Sequence, residues 1–286
     1  MAWRIAIVLV LVLALAGGCW AAVCSWRWRR GTAALRRRLE SGRIGGTPPA
    51  FDARELAGLP PPVRRYLQAV LRPGQAIPAA ASFTHRGFFS LGKERPKWMP
   101  FTSAQRVVAD RPGFDWDARI AMGLGLSARV HDAYALGEGL LHAELLGWTL
   151  ADQRATRELA LGELQRFLAE APWMPTLLLP GQNVGWEEID DASARATLAD
   201  GATIAMLDFH FGDDGLIDRV SAAERYRLID GRPVATPWEG RFWNYAERGG
   251  MRIPLDGEVA WMLPGGPLPY WRGHLESIAY DVERSR

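Results

Sequence analysis

The chain has 286 residues, 48% of them apolar and 23% charged, with a formal charge of +2 and two cysteines. That length makes one large or two small domains with a full core, and because both cysteines, Cys19 and Cys24, lie near the N-terminus, a disulfide framework or a cysteine metal site in the body is excluded. The charge is uneven: residues 1–43 hold eight arginines against Glu40, so the remainder has an excess of five acids, and a mildly acidic body is a poor nucleic-acid binder.

Residues Ile5 to Val23 carry no charge and no proline. As a helix this run reaches roughly 28 Å, close to the ~30 Å hydrocarbon core of a bilayer. Trp3 and Trp20 stand where interfacial aromatics belong, and Arg27, Arg29, Arg30, Arg36, Arg37 and Arg38 follow. The expectation is a single-pass transmembrane anchor over residues 1–40, partnering a lipid bilayer through residues 5–23. The positive-inside rule then puts the body on the cytoplasmic side of a bacterial inner membrane. Two alternatives compete. A cleaved signal peptide is disfavoured by the lone Arg4 and the long apolar run. A lipoprotein site at Ala16-Gly17-Gly18-Cys19 would lipidate Cys19, but Ala16 stands where leucine is usual.

Residues 41–62 read as a linker, broken by Gly42, Gly45, Gly46, Pro48 and Pro49 and closed by Pro60-Pro61-Pro62. A short helix follows over Val63 to Leu71, with Pro73-Gly74 beyond it. From Ala81 the period becomes two. Phe114, Trp116, Ala118 and Ile120 alternate with Asp115, Asp117 and Arg119, a half-buried strand. Residues 138–150 read as another strand, and nine more stretches between 81 and 283 behave alike. One helix interrupts them, capped by Asp152, with a stripe of Leu159, Ala160, Leu164, Phe167, Leu168 and Ala171, and stopped by Pro172 and Pro175. Strand follows strand without helical crossovers, so the sheet is antiparallel. The fold class is mainly β with α (α+β): a large curved antiparallel sheet packed on one amphipathic helix, as a single domain over 63–286.

Leu59-Pro60-Pro61-Pro62-Val63-Arg64-Arg65-Tyr66-Leu67, Phe114 to Ile120, Phe167-Leu168-Ala169-Glu170-Ala171-Pro172-Trp173 and the Trp186-containing strand resemble a bacterial family of membrane-anchored proteins known only as a domain of unknown function. The resemblance spans roughly residues 55 to 283 and implies no reaction and no catalytic residue. Tyr245, Gly249-Gly250, Ile253-Pro254 and Trp261 form a hairpin similar to those of lipoprotein-carrier (LolA-like) proteins of the bacterial envelope. That looser likeness implies a bent sheet sheltering acyl chains, and a periplasmic body as the alternative location.

His142 and Glu144 share one strand face, and Asp208 and His210 share another. Were those strands neighbours, the four would make a metal or acid–base site; otherwise they belong to the solvated face of an amphipathic sheet. His85, His131 and His274 lie on separate strands. Glu170, at a helix C-terminus, opposes the helix dipole and needs a partner such as an arginine; it is a weaker candidate acid. No nucleophile elbow, phosphate loop, dinucleotide fingerprint or His-Glu-x-x-His is present. Nine tryptophans lie in the body; most are expected in a thick aromatic core, with Trp148, Trp173 and Trp243 as candidates to line a groove. The expected function is a tethered binding module for a lipid or other apolar ligand, with no metal or cofactor. An envelope scaffold, or a metal-dependent enzyme using His142, Glu144, Asp208 and His210, is the alternative.

Overall fold

The structure, a computed structural model, describes residues 1–44, 49–92 and 94–282. The linker residues Gly45, Gly46 and Pro48 and the strand end at Glu283 lie outside the described residues.

The apolar run is the first half of a longer helix. Helix α1 spans Ala2–Glu40 without a break. Its first half is exposed, whereas Cys24, Trp28 and Leu39, spaced at roughly helical repeats, are buried against the sheet. The segment expected to be a linker also holds structure. Asp52 caps a 3-10 turn, Ala53–Leu56, and Phe51 and Leu56 are buried. Helix α2, Pro61–Val70, starts two residues earlier than the sequence implies.

Thirteen strands follow: β1 Ala80–Ser90, β2 Trp98–Val108, β3 Gly113–Gly123, β4 Leu126–Ala135, β5 Glu138–Leu145, β6 Trp148–Arg154, β7 Val184–Asp190, β8 Ser193–Asp200, β9 Thr203–Phe211, β10 Ile217–Ile229, β11 Arg232–Arg248, β12 Met251–Leu263 and β13 Gly266–Asp281. Helix α3, Arg157–Ala169, lies between β6 and β7. The strands form one open antiparallel sheet in the order β6-β5-β4-β3-β2-β1-β13-β12-β11-β10-β9-β8-β7. Two meanders therefore meet where β1 pairs with β13, and α3 carries the chain between the two outer edges.

Two local expectations are corrected. Residues 138–150 are not one strand, because Leu146 and Gly147 adopt positive φ (52° and 86°) and turn the chain between β5 and β6. Asp152 does not cap α3. It lies within β6, and the cap is Thr156, whose Oγ1 accepts from the Leu159 amide at 3.2 Å.

The sheet curls around α3, which packs on β4 and β5 from one meander and on β9 and β10 from the other. Enclosed from both sides, α3 buries Glu163 and Gln165 along with Leu164, Phe167 and Leu168. The opposite face of β2–β4 carries the second half of α1. Ser25 receives a hydrogen bond from Arg129, Thr32 meets His131 at 3.0 Å, and Leu39 joins Ala80, Val108 and Ala135 in a small apolar cluster. Fourteen helical residues and six strand residues both advance about 20 Å, so α1 runs along β4 in the same chain direction.

Candidate functional site

A cavity of about 510 Å3 lies between α3 and the inner face of the sheet. That size falls within the range of small-molecule pockets, roughly 300–1,000 Å3. Its wall is aromatic: Phe89, Trp116, Trp173, Trp238, Phe242, Trp261, Tyr270 and Trp271. Alternation delivers these rings to one side, since every second residue of a strand faces the same way. Trp116, Asp132, Leu141 and Gln153 are consecutive register partners across β3, β4, β5 and β6 and make one wall. The outer end of the β10–β11 hairpin supplies Tyr226, Leu228 and Pro233 to the rim. Space for the aromatic floor comes from facing glycines. Gly257 and Gly273 are cross-strand partners, and a Cβ on Gly273 would fall 2.2 Å from the Trp271 ring.

A few charges sit inside this apolar wall. Arg166 donates from Nε to Glu170 Oε1 at 2.7 Å and from Nη1 to Asp132 at 2.5 Å. Its guanidinium also lies 4.8 Å from the Phe114 ring and 5.0 Å from that of Trp116. Burial works against its charge, but Glu170, Asp132 and Glu163 outweigh that and hold it protonated. Glu163, 6% exposed, is pushed well above the carboxylate range by burial and by the Asp132 charge, against the pull of Arg225 and Arg166. Its Oε2 has no hydrogen-bond partner. Arg225, 8% exposed, lies 5.0 Å from the Trp238 ring, and Trp238 Nε1 donates to the Tyr270 hydroxyl at 2.8 Å.

Arg225 reaches the cavity because of a β-bulge. The β10–β11 register slips between Ala222 and Arg225. Before the slip Val220 and Ala222 face inward; after it Arg225 does, whereas unbroken alternation would put Glu224 there. The Glu224 carbonyl then accepts from Gln165 Nε2 of α3 at 2.9 Å.

The residues singled out from sequence are dispersed. His142 and Glu144 lie on β5 and Asp208 and His210 on β9, with eight strands between them in the sheet. At ~4.8 Å per strand that separation is on the order of 40 Å along the sheet. His142 sits 5.9 Å from the Trp28 ring of α1 and 3.4 Å from Asp152, while Asp208 pairs with Arg195 and His210 with Ser221. Among the described residues no group of three or more His, Cys, Asp or Glu is placed to hold a metal ion. Glu170 does line the cavity, and its arginine partner is Arg166, one helical turn back. Of the three groove tryptophans only Trp173 lines the cavity. Trp148 is 76% exposed on the edge strand, and Trp243 points to the face opposite Phe242. Of the other histidines, His85 is buried beside Trp173, His131 stacks on Trp28, and His274 pairs with Asp256 at 2.7 Å. Glu163, Arg166 and Arg225 escaped the sequence reading: Glu163 lies on the apolar stripe of α3 between Leu159 and Phe167 but is charged in type, Arg166 lies off the centre of that stripe, and Arg225 falls where unbroken alternation predicts a solvated side chain.

Fold and cavity together define an open antiparallel sheet curled on one helix around an aromatic pocket. Residues 57–280 match the family described as "Family of unknown function (DUF6920)", and the chain belongs to that family. No curated protein matches it in sequence. Among solved structures, the crystal structure of a LolA superfamily protein from Nitrosomonas europaea aligns with a TM-score of 0.35 and 12% identity, covering 81% of this chain and 94% of that one. An overlap of that size carries no argument about this chain.

Proposed function

We propose that this protein is a membrane-anchored binding module whose cavity between α3 and the sheet takes a lipid-like, apolar ligand. The carrying observation is the pocket itself: about 510 Å3, walled by eight aromatic side chains. A cavity of that size lined by apolar groups is costly to leave to water and binds apolar guests. The long α1, one helix of 39 residues whose residues 5–23 carry no charge, supports a single membrane span. Its arginine-rich flank supports a cytoplasmic body.

Native mass spectrometry of the full chain, released from detergent micelles, tests the reading. A bound lipid or fatty acyl species, lost when Gly257→Phe fills the cavity, is the expected result. A clean apo mass after incubation with lipid extract would refute it.

A further inference from the structure

Deepening that reading, and resting on it, we infer that the ligand is a single-chain amphiphile whose head is an oxyanion, carboxylate or phosphate, seated against Arg225 and Tyr270. Arg225 is 8% exposed, lines the cavity, and among the described residues its guanidinium makes no hydrogen bond or ion pair. A buried, unpaired guanidinium is expensive, and the Trp238 face 5.0 Å away offsets only part of that cost. Beside it the Tyr270 hydroxyl accepts from Trp238 Nε1 at 2.8 Å, and its own proton has no acceptor among the described residues. Two donors without acceptors thus line the same aromatic wall.

The nearby carboxyls do not satisfy them. Asp132 and Glu170 both clamp Arg166. Glu163 is pushed well above the carboxylate range by burial and by the Asp132 charge, which weakens it as a counter-ion to Arg225. Among the described residues no carboxylate is hydrogen-bonded to the Arg225 guanidinium where it lines the cavity. An oxyanion head would accept from the guanidinium and the phenol while its chain fills the space beside Trp261 and Leu228. The bulge at Ala222/Arg225 gives the same conclusion from the backbone, because it breaks the alternation of β10 and turns this arginine inward.

The test is competitive native mass spectrometry of the full chain with an equimolar mixture of hexadecanoate, hexadecyl phosphate, hexadecanol and hexadecyltrimethylammonium. Wild type is expected to carry one or both anions at least tenfold over the alcohol, and the ratio of the two names the head. With a thermal unfolding curve as cooperative as that of wild type reporting that the variant is folded, Arg225→Gln should bring that preference close to one. Tyr270→Phe should reduce it a few-fold, and Arg225→Lys should retain part of it. Equal capture of acid and alcohol by wild type, or an unchanged preference in Arg225→Gln, overturns the head assignment and leaves the binding module standing. Binding of none of the four overturns both.

Discussion

His85 shows how one side chain couples this fold to pH. It is 1% exposed, packed 4.6 Å from the Trp173 ring and 5.6 Å from that of Trp271, and neither ring nitrogen has a partner. Burial, with smaller contributions from Arg166 and His274, lowers its pKa from 6.5 to about 3. The unfolded chain therefore takes up a proton below pH 6.5 that the folded chain refuses, and stability falls as pH falls from there towards 3. His85→Leu removes that dependence. In urea unfolding of the full chain in mild detergent, the variant should gain on wild type by roughly 1.5 kcal/mol between pH 6.5 and pH 5. Parallel stability curves for the two proteins would contradict this. From the sequence His85 is only a histidine on a strand. Its burial depends on Trp173 and Trp271, which lie about 90 and 190 residues further along.

At the scale of elements, the strands were legible where one face meets the core, and least legible where both faces are covered. The alternation in β3 correctly turns Phe114, Trp116, Ala118 and Ile120 inward. The opposite row looks like a solvated face, yet Asp115 is fully buried beneath α1, holding Arg36 at 2.9 Å and His131 at 3.0 Å. The helix that covers it lies some 80 residues upstream, so no local period records it. Arg36 and Arg38, part of the basic flank of the apolar run, thus also fasten α1 to Asp115 and Glu138. Trp28 is the centre of that contact, stacked 4.2 Å from His131 and donating to Asp117 at 3.0 Å. Trp28→Ala removes a buried ring worth about 3 kcal/mol or more. The expected outcome is rapid tryptic cleavage at Arg27, Arg29 and Arg30 in the variant, with wild type resisting under the same conditions. The cap of α3 is a smaller handle. Thr156→Ala leaves the Leu159 amide without its acceptor and should cost about 1 kcal/mol in the same unfolding experiment.

On the scale of the molecule, an open sheet of thirteen strands leaves two edges, and both are guarded. β6 carries Asp152 and Arg154, and β7 carries Glu187, Glu188 and Asp190, mostly exposed charges that discourage edge-to-edge pairing. Exposed apolar side chains also gather at two of the turns. Met122, Leu124 and Leu126 surround the β3–β4 turn, and Leu146 and Trp148 the β5–β6 turn; Leu124 is wholly exposed. Both turns lie at the same end of the sheet, because β3 to β6 are successive hairpins. The β5–β6 turn touches α1 where its apolar run ends, with Trp20 Nε1 donating to the Leu146 carbonyl at 2.9 Å. Arg129 is level with Ser25, and three more residues of β4 lead to Leu126, an advance of roughly 10 Å. At 1.5 Å per helical residue that brings the β3–β4 turn beside residues of α1 near 18, inside the apolar run. If α1 spans a bilayer, this turn enters its surface, and the sheet stands on the membrane through α1 and two hairpin ends together. A spin label on Leu124→Cys, with Cys19 and Cys24 changed to serine and the protein in nanodiscs, should be more accessible to oxygen than to a water-soluble nickel chelate. The same label on Asp191→Cys, at the β7–β8 turn, should show the reverse. Equal nickel accessibility at both sites would mean that the body hangs clear of the bilayer and that α1 alone holds it there.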